Sequence, residues 1–140
     1  MVFRPWNVYV YEPACEKPHV ITDFIQMAKT TGVIKTRTTG EESRQLLYVE
    51  DCVNAFWKLT KEYHHLDKTK NYHITSFEWV KIKEVAEIVR QIAGCELVLG
   101  EKQDQTQMNA MNPPDEFIKQ YWTPSVSLYD GIKKIYDHTV

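Results

Sequence analysis

Short β-type runs alternate with amphipathic helical stripes along this 140-residue chain. The helical stripes place apolar residues three and four positions apart, and a glycine closes two of them, at Gly32 and Gly94. Alternation of this kind is typical of α/β folds, in which helices cover a sheet. We therefore predict an α/β chain with about four short strands and about four helices, which is poor in strands for an independent doubly wound sheet.

The predicted elements have the following bounds. Strands are predicted at residues 2–11, 33–38, 71–75 and 96–99, with a further short apolar run at 45–49. Helices are predicted at residues 19–30, from 51 onward, at 82–93 and from 127 onward. Asp51 is predicted to cap the second helix, a structural role, and Ser127 with Asp130 resembles a capping box before the last helix. The polar stretch 101–112 lacks periodicity and is predicted to be a loop.

Charge and composition exclude several classes of partner. The 17 basic and 19 acidic residues are interspersed, with a formal net charge of −2, so no basic surface for nucleic acid is predicted. No apolar run approaches the roughly 20 residues that span a bilayer, and we expect no membrane partner.

The three cysteines, at positions 15, 52 and 95, are too far apart for a disulfide framework or a metal knuckle. These features lead us to expect a cytoplasmic protein with reduced cysteines. His64 and His65 have no acidic or thiol neighbour at ligand spacing, so we expect no metal site.

Three stretches of the sequence carry a family pattern. Residues 4–9 read RPWNVY, residues 44–51 read RQLLYVED, and residues 122–132 contain W-T-P followed by S-L-x-x-G-I. In order and approximate spacing they resemble the R-x-x-N-V-Y-G-P, R-D-F-x-x-V-x-D and G-W-x-P…S-L-x-x-G-I stretches of the extended short-chain dehydrogenases, the NAD-dependent epimerase/dehydratase family. The resemblance covers nearly the whole chain. It implies that residues 1–140 are the C-terminal, substrate-binding portion of such an enzyme, with the N-terminal Rossmann half absent.

The resemblance also indicates what this chain does not carry. The family holds NAD in its Rossmann domain, with a G-x-x-G-x-x-G turn and a Tyr-x-x-x-Lys pair, whereas the five glycines here are scattered. NAD is therefore expected in the full-length family, where it oxidises the sugar C4 and later returns the hydride, and is not expected to bind this chain alone. Tyr129 and Lys133 do spell Tyr-x-x-x-Lys, but they fall within the S-L-x-x-G-I stretch, and we interpret that match as chance. No catalytic residue is predicted.

Four residues are candidates for binding a nucleotide-diphosphate sugar. Arg44 matches the family arginine that grips the diphosphate, a role suited to a planar guanidinium that bonds phosphate oxygens in pairs. Asn7 matches the family asparagine that contacts phosphate or sugar, and His19 falls near a loop position that contacts nucleotide or phosphate. Lys102 stands where the family has a second arginine, and it would supply charge without the bidentate geometry. The alternatives are structural: a surface arginine, a strand-end asparagine that caps a turn, and a neighbour of a helix N-cap.

Two functions are left open by the sequence. In the first, the chain is the substrate-binding part of an NAD-dependent nucleotide-sugar 4-epimerase or 4,6-dehydratase such as UDP-glucose 4-epimerase, inactive without its Rossmann domain. In the second, it is a non-catalytic truncated module whose N-terminal strand edge forms a homodimer or pairs with a complementing chain. The family's Gly before Pro is replaced in residues 10–13 (VYEP), which leaves the sugar open. Residues outside this chain decide among epimerase, dehydratase and decarboxylase.

Overall fold

The computed structural model describes residues 1–13, 18–104 and 111–140, and within them the chain forms a mixed α/β fold. The helices are α1 (Val20–Thr31), α2 (Val49–Lys61), α3 (Ile82–Ala93) and α4 (Leu128–His138), with a 3₁₀ helix at Phe117–Gln120. The strands are β1 (Val2–Pro5), β2 (Val8–Tyr9), β3 (Val33–Lys35), β4 (Ser43–Arg44), β5 (Leu47–Tyr48), β6 (Asn71–Ile74), β7 (Val80–Lys81) and β8 (Glu96–Val98). The expected α/β class with short strands and four helices is confirmed in the described part of the chain.

The strands associate in pairs rather than in one continuous sheet. Strands β1 and β6, β2 and β5, and β3 and β8 are parallel pairs, and β4 and β7 are antiparallel. In the longest pair Val2 lies opposite Asn71 and Pro5 lies opposite Ile74. Parallel pairs need long crossover connections, and α2 lies in the connection between β1 and β6.

Helices α1 and α3 end where the sequence predicts. Gly32 and Gly94 take the left-handed conformation, with φ of 70° and 65°. Their N–H groups donate to the carbonyls of Ala28 and Arg90, which satisfies acceptors in the last helical turn. The glycines therefore end the helices and turn the chain into the strands β3 and β8.

The last helix also begins as predicted. The Ser127 side chain accepts a hydrogen bond from the Asp130 N–H at 3.1 Å, and its hydroxyl donates to the Asp130 carboxylate at 2.6 Å. Ser127 is therefore the N-cap, but the Asp130 carboxylate accepts from the Ser127 hydroxyl rather than from the Ser127 backbone N–H, so only half of the expected capping box forms. The Ser127 cap fixes the direction in which α4 leaves the preceding loop.

The predicted role of Asp51 as the cap of α2 is wrong. Tyr48 is the N-cap and Asp51 lies within the first turn, 2% exposed. Its carboxylate accepts hydrogen bonds from the Ser125 N–H at 3.0 Å, the Ser125 hydroxyl at 2.9 Å and the Val126 N–H at 2.8 Å. The role is structural, as expected, but the bonding partners lie 74 and 75 residues away rather than in the helix itself.

Two apolar clusters stabilise the fold. One packs α1, α3 and α4 together, and its largest buried members include Ile21, Phe24, Ile25, Ile34, Val85, Val89, Ile132 and Ile135. The other lies between α2, β6 and the 3₁₀ helix and includes Leu47, Ala55, Leu59, Tyr72, Ile74, Ile118 and Trp122. Leu46 belongs to the first cluster and Leu47 to the second, so the chain at β5 joins the two clusters.

Other predicted elements need correction. The single strand expected at residues 2–11 is two strands, because Asn7 has a φ of 36° and turns the chain between them. The strands β4 and β7, two residues each, were not predicted. In the expected loop at 101–112, Lys102 forms an isolated parallel bridge with Thr38, and residues 105–110 lie outside the described residues. No helix in the described ranges has the length and apolar character needed to cross a bilayer.

Candidate functional site

A cavity of about 520 Å³ opens where the turn between β1 and β2 meets the start of α1 and the strand β4. Cavities of this volume are typical of small-molecule sites. Its lining residues are Asn7, Val8, Tyr9, Val10, Glu12, His19, Val20, Ile21, Thr22, Glu42, Arg44, Leu46 and Ile82. Three of the four candidates from the sequence, Asn7, His19 and Arg44, lie on its wall. The fold thus brings together residues that lie up to 37 positions apart in the sequence.

Asn7 holds one wall of this cavity in place. Its side-chain amide donates to the Gln45 carbonyl oxygen at 3.2 Å, and its own carbonyl accepts from the Leu47 N–H at 3.3 Å. The Gln45 side chain in turn accepts from the buried Thr75 hydroxyl at 2.8 Å. Asn7 therefore positions the turn on which it lies, a structural role that explains its left-handed backbone.

His19 lies at the mouth of the cavity and is held by Glu12. The Glu12 carboxylate accepts from the His19 backbone N–H at 3.1 Å and contacts the imidazole Nδ1. Burial alone would raise the pKa of Glu12, but hydrogen bonds from His19 and from the Thr22 side chain lower it overall. An ionised carboxylate can only accept, so Nδ1 carries the hydrogen in this contact, which leaves Nε2 for a ligand. The His19 side chain is 81% exposed, which leaves it accessible to a ligand.

Arg44 and Glu42 put opposite charges on the same cavity. Arg44 lies on β4, and its Nη1 donates to the Ser43 carbonyl at 2.7 Å. Glu42 is buried, with one carboxyl oxygen accepting from the Thr38 hydroxyl at 2.6 Å and the other without a partner among the described residues. A guanidinium can donate to phosphate oxygens, so Arg44 gives this wall a group suited to an anion, whereas both oxygens of Glu42 are shielded from solvent by the surrounding residues.

Lys102 is not part of the cavity wall. Its carbonyl accepts from the Thr39 N–H at 2.8 Å, so its backbone extends the edge of β3 beside the segment that leads to β4. The Tyr129 and Lys133 pair lies on α4, where Tyr129 is exposed and Lys133 forms an ion pair with Asp137 at 2.8 Å. Neither observation brings these residues to the cavity.

Tyr9 forms part of the cavity wall and rests against α4. A methyl group added at Gly131 would lie 2.1 Å from the Tyr9 hydroxyl oxygen and 2.9 Å from the adjoining ring carbon. Burial, followed by the nearby Tyr48, Asp51 and Asp130 side chains, raises the pKa of Tyr9 well above its ordinary value, so its hydroxyl stays protonated. The contact joins the N-V-Y stretch to the glycine of the S-L-x-x-G-I stretch.

The glycines do not fit a dinucleotide site. Such a site needs closely spaced glycines that open a helix and let pyrophosphate approach its first N–H groups. Here each glycine has a local role instead. Gly32 and Gly94 end helices. Gly40 lies against Lys83, Gly100 against the Arg37 backbone and Gly131 against the Tyr9 side chain, and a side chain at any of these positions would collide with that neighbour. In the described residues, no group of three or more His, Cys, Asp or Glu side chains could hold a metal ion.

Two acidic residues of the cavity wall, Glu12 and Glu42, are not predicted by the sequence. Glu12 lies in the VYEP stretch, where the chain departs from the family pattern, and that departure was the available signal. Glu42 lies two residues before Arg44, and only its burial against Thr38 distinguishes it from the exposed acids elsewhere. Both bring carboxylates to a cavity for which the sequence predicts none.

Comparisons with known proteins agree with this fold. A family model described as the NAD dependent epimerase/dehydratase family matches residues 1–75. GDP-L-fucose synthase 1 of Arabidopsis thaliana is 35% identical over 96% of this chain, and GDP-L-fucose synthase of Sinorhizobium fredii is 27% identical over 87% of it. UDP-glucose 4-epimerase from Thermotoga maritima, solved with UDP-glucose, has a TM-score of 0.76 and 22% identity over 98% of this chain.

This chain is shorter than the proteins it resembles. It spans 40% of the length of each of these two curated relatives and 44% of the solved epimerase chain. More than half of each relative therefore has no counterpart in residues 1–140.

Proposed function

This chain belongs to the NAD-dependent epimerase/dehydratase family, and we propose that it supplies the nucleotide-sugar-binding surface of such an enzyme. The observation that carries the proposal is the convergence of Asn7, His19 and Arg44 on one cavity of about 520 Å³. Its share of the work is to bind and orient the substrate, because the described residues hold no dinucleotide turn.

Within the cavity each charged group has a task suited to a nucleotide-diphosphate sugar. Arg44 donates to the diphosphate, and His19 adds a donor or acceptor through Nε2 at the cavity mouth. Glu42 lies on the same wall with a buried carboxylate, one oxygen of which lacks a partner among the described residues. Asn7 positions the wall on which these groups lie.

The substrate we propose carries GDP rather than UDP. Support comes from the curated relatives, whose names specify GDP-L-fucose synthases in a plant and a bacterium. The similarity to UDP-glucose 4-epimerase, at 22% identity, supports the fold and does not bear on the nucleotide.

Isothermal titration calorimetry of the purified chain with GDP-L-fucose, UDP-glucose and NAD tests the proposal. We expect GDP-L-fucose to bind more tightly than UDP-glucose, with no heat from NAD. Arg44→Ala should weaken GDP-L-fucose binding about 10- to 100-fold, because a hydrogen bond to a charged group contributes roughly 1.5–3 kcal/mol.

Arg90→Ala is the matched control. Arg90 lies on α3, pairs with Glu87 on the surface at 2.6 Å and is outside the cavity, so its removal should leave the affinity unchanged. Equal binding by the wild-type chain and the Arg44 variant would refute the assigned role of Arg44. Absence of any nucleotide-sugar binding by the wild-type chain would refute the proposed function itself.

A further inference from the structure

Two residues, Gln45 and Leu46, link the strand that carries Arg44 to the next strand of the chain. Because β4 pairs with β7 and β5 pairs with β2, this connection, which we call the 45–46 link, joins two separate strand pairs. Arg44 and Leu46 line the cavity, whereas Gln45 between them is 1% exposed and is not a lining residue. Alternation of this kind is typical of an extended chain, whose successive side chains point to opposite sides. The Gln45 side chain therefore faces away from the cavity that Arg44 lines.

Gln45 is held by hydrogen bonds on the side away from the cavity. Its side-chain carbonyl oxygen accepts from the Thr75 hydroxyl at 2.8 Å, and Thr75 is fully buried. Its main-chain carbonyl accepts from the Asn7 side-chain amide at 3.2 Å. A hydrogen bond in the protein interior is electrostatically stronger than one in water, and an unpaired buried oxygen is costly. The Thr75 contact therefore fixes the orientation of Gln45, and with it the chain direction immediately after Arg44.

The segment that carries Thr75 is itself fixed. Thr75 follows β6, and the connection from β6 to β7 leads to Val80, which lies opposite Arg44 in the antiparallel pair of β4 and β7. Between them Phe77 has a φ of 60° and packs against the second apolar cluster. A left-handed backbone at a residue other than glycine persists only where the surrounding contacts hold it. This connection thus supports Arg44 at two points, through the backbone at Val80 and through the hydrogen bond from Thr75 to Gln45.

We propose that the hydrogen bond between Thr75 and Gln45 positions Arg44, so that its guanidinium is directed at the diphosphate of the substrate. Gln45 and Thr75 are positioning residues, because neither lines the cavity and both act through Arg44. A guanidinium bonds phosphate oxygens in pairs only when its plane has a suitable orientation, so a change of chain direction beside it reduces the bonds it can make. This inference rests on the proposed function for its ligand, whereas the order of the Arg44 side chain can be measured without one.

Thr75→Val is the perturbation, because valine has nearly the shape of threonine and lacks the hydroxyl. The variant leaves the Gln45 oxygen buried without its donor, a state that the 45–46 link relieves by moving toward water. We expect Thr75→Val to weaken GDP-L-fucose binding about 5- to 10-fold in isothermal titration calorimetry. In the Arg44→Ala background the same substitution should change the affinity less than about 2-fold, because residues that act through each other are not additive. A hydrogen bond that only stabilised the fold would not show this coupling.

NMR relaxation of the Arg44 Nε–Hε group is a second readout that needs no ligand. We expect its order parameter to fall in Thr75→Val and to keep the wild-type value in Thr75→Ser, which retains the hydroxyl. Arg44→Ala identifies the signal by its absence. If the wild-type chain binds no nucleotide sugar, the proposed function fails, and the order parameter still decides whether Thr75 positions Arg44.

Thr139→Val is the matched control. It removes a half-buried hydroxyl that donates to the Ile135 carbonyl at 2.8 Å, at the end of α4 and outside the cavity, so it should change neither the affinity nor the order parameter. If circular dichroism shows that Thr75→Val does not fold, Gln45→Met combined with Thr75→Val replaces it, because removal of both polar partners is close to neutral for stability. An equal loss of affinity from Thr75→Val with and without Arg44, or an unchanged order parameter of Arg44, would overturn the proposal.

Discussion

Replacement of Asp51 by alanine is the most direct test of how this fold is held together. The carboxylate accepts three hydrogen bonds from Ser125 and Val126 and is 2% exposed, whereas its donors lie on a half-exposed loop. Because water can reach these donors after the substitution, each lost hydrogen bond should cost about 1 kcal/mol. The larger penalty of leaving a buried donor without a partner should not apply. We expect Asp51→Ala to lower the free energy of unfolding by about 3 kcal/mol.

Urea and thermal denaturation, followed by circular dichroism, give the measurement. For a chain of this size, about 3 kcal/mol corresponds to a fall in Tm of roughly 10 °C. Asp51→Asn keeps one acceptor oxygen and should lose about half as much stability. Glu50→Ala serves as the control, because Glu50 is an acid in the same helical turn that forms a surface ion pair with Lys134 at 2.6 Å. It should cost less than about 1 kcal/mol.

A small effect of Asp51→Ala would refute this reasoning. If Asp51 acted only as an acid near the N-terminus of α2, the loss would be about 0.3–1 kcal/mol and Glu50→Ala would match it. The two substitutions therefore separate a long-range contact from a helix-dipole effect.

Two further predictions concern packing and pH. Gly131→Ala should destabilise the fold by about 1–2 kcal/mol in urea denaturation, because displacement of the Tyr9 ring outweighs the better helix propensity of alanine, and the loss should shrink in a Tyr9→Phe background. His73 has a pKa below its ordinary value, first through burial and then through Arg4, so the unfolded chain takes up the proton more readily. The contribution of His73 to the free energy of unfolding should therefore be constant above about pH 6.5 and fall as the pH drops below that value. His73→Gln should reduce the dependence of the free energy of unfolding on pH between about pH 7.5 and 5.5. The same pH dependence in both proteins would contradict the assignment.

The sequence was informative where local chemistry decides the structure. The helix ends at Gly32 and Gly94 and the cap at Ser127 follow from backbone conformation and short-range hydrogen bonds, and the structure confirms them. Asp51 was misassigned because a carboxylate near a helix start satisfies the same pattern whether it caps its own helix or binds a distant loop. The division of residues 2–11 depends on the left-handed backbone of Asn7, which its contact with Gln45 stabilises.

The candidate site also contains residues that the local sequence identifies and residues that only the packed fold identifies. Arg44 and His19 could be proposed from motif position, and the fold places both on one cavity, but whether they bind a ligand stays a prediction. Lys102 was selected by counting along the sequence, and its position beside Thr38 depends on the bridge between two segments 64 residues apart. Glu42 could not have been found from spacing, because its importance comes from burial, which only the packed fold defines.

Because Tyr9 packs against Gly131, a shortened version of this chain would have to keep α4 for the cavity wall to stay in place. Helix α4 contributes no lining residue to the cavity, yet it supports the tyrosine that forms one wall. Shortening the chain before α4 would leave every proposed ligand-binding residue in the polypeptide while removing the surface against which the wall rests. Tyr9 and Gly131, 122 positions apart in the sequence, thus depend on each other for the shape of this wall.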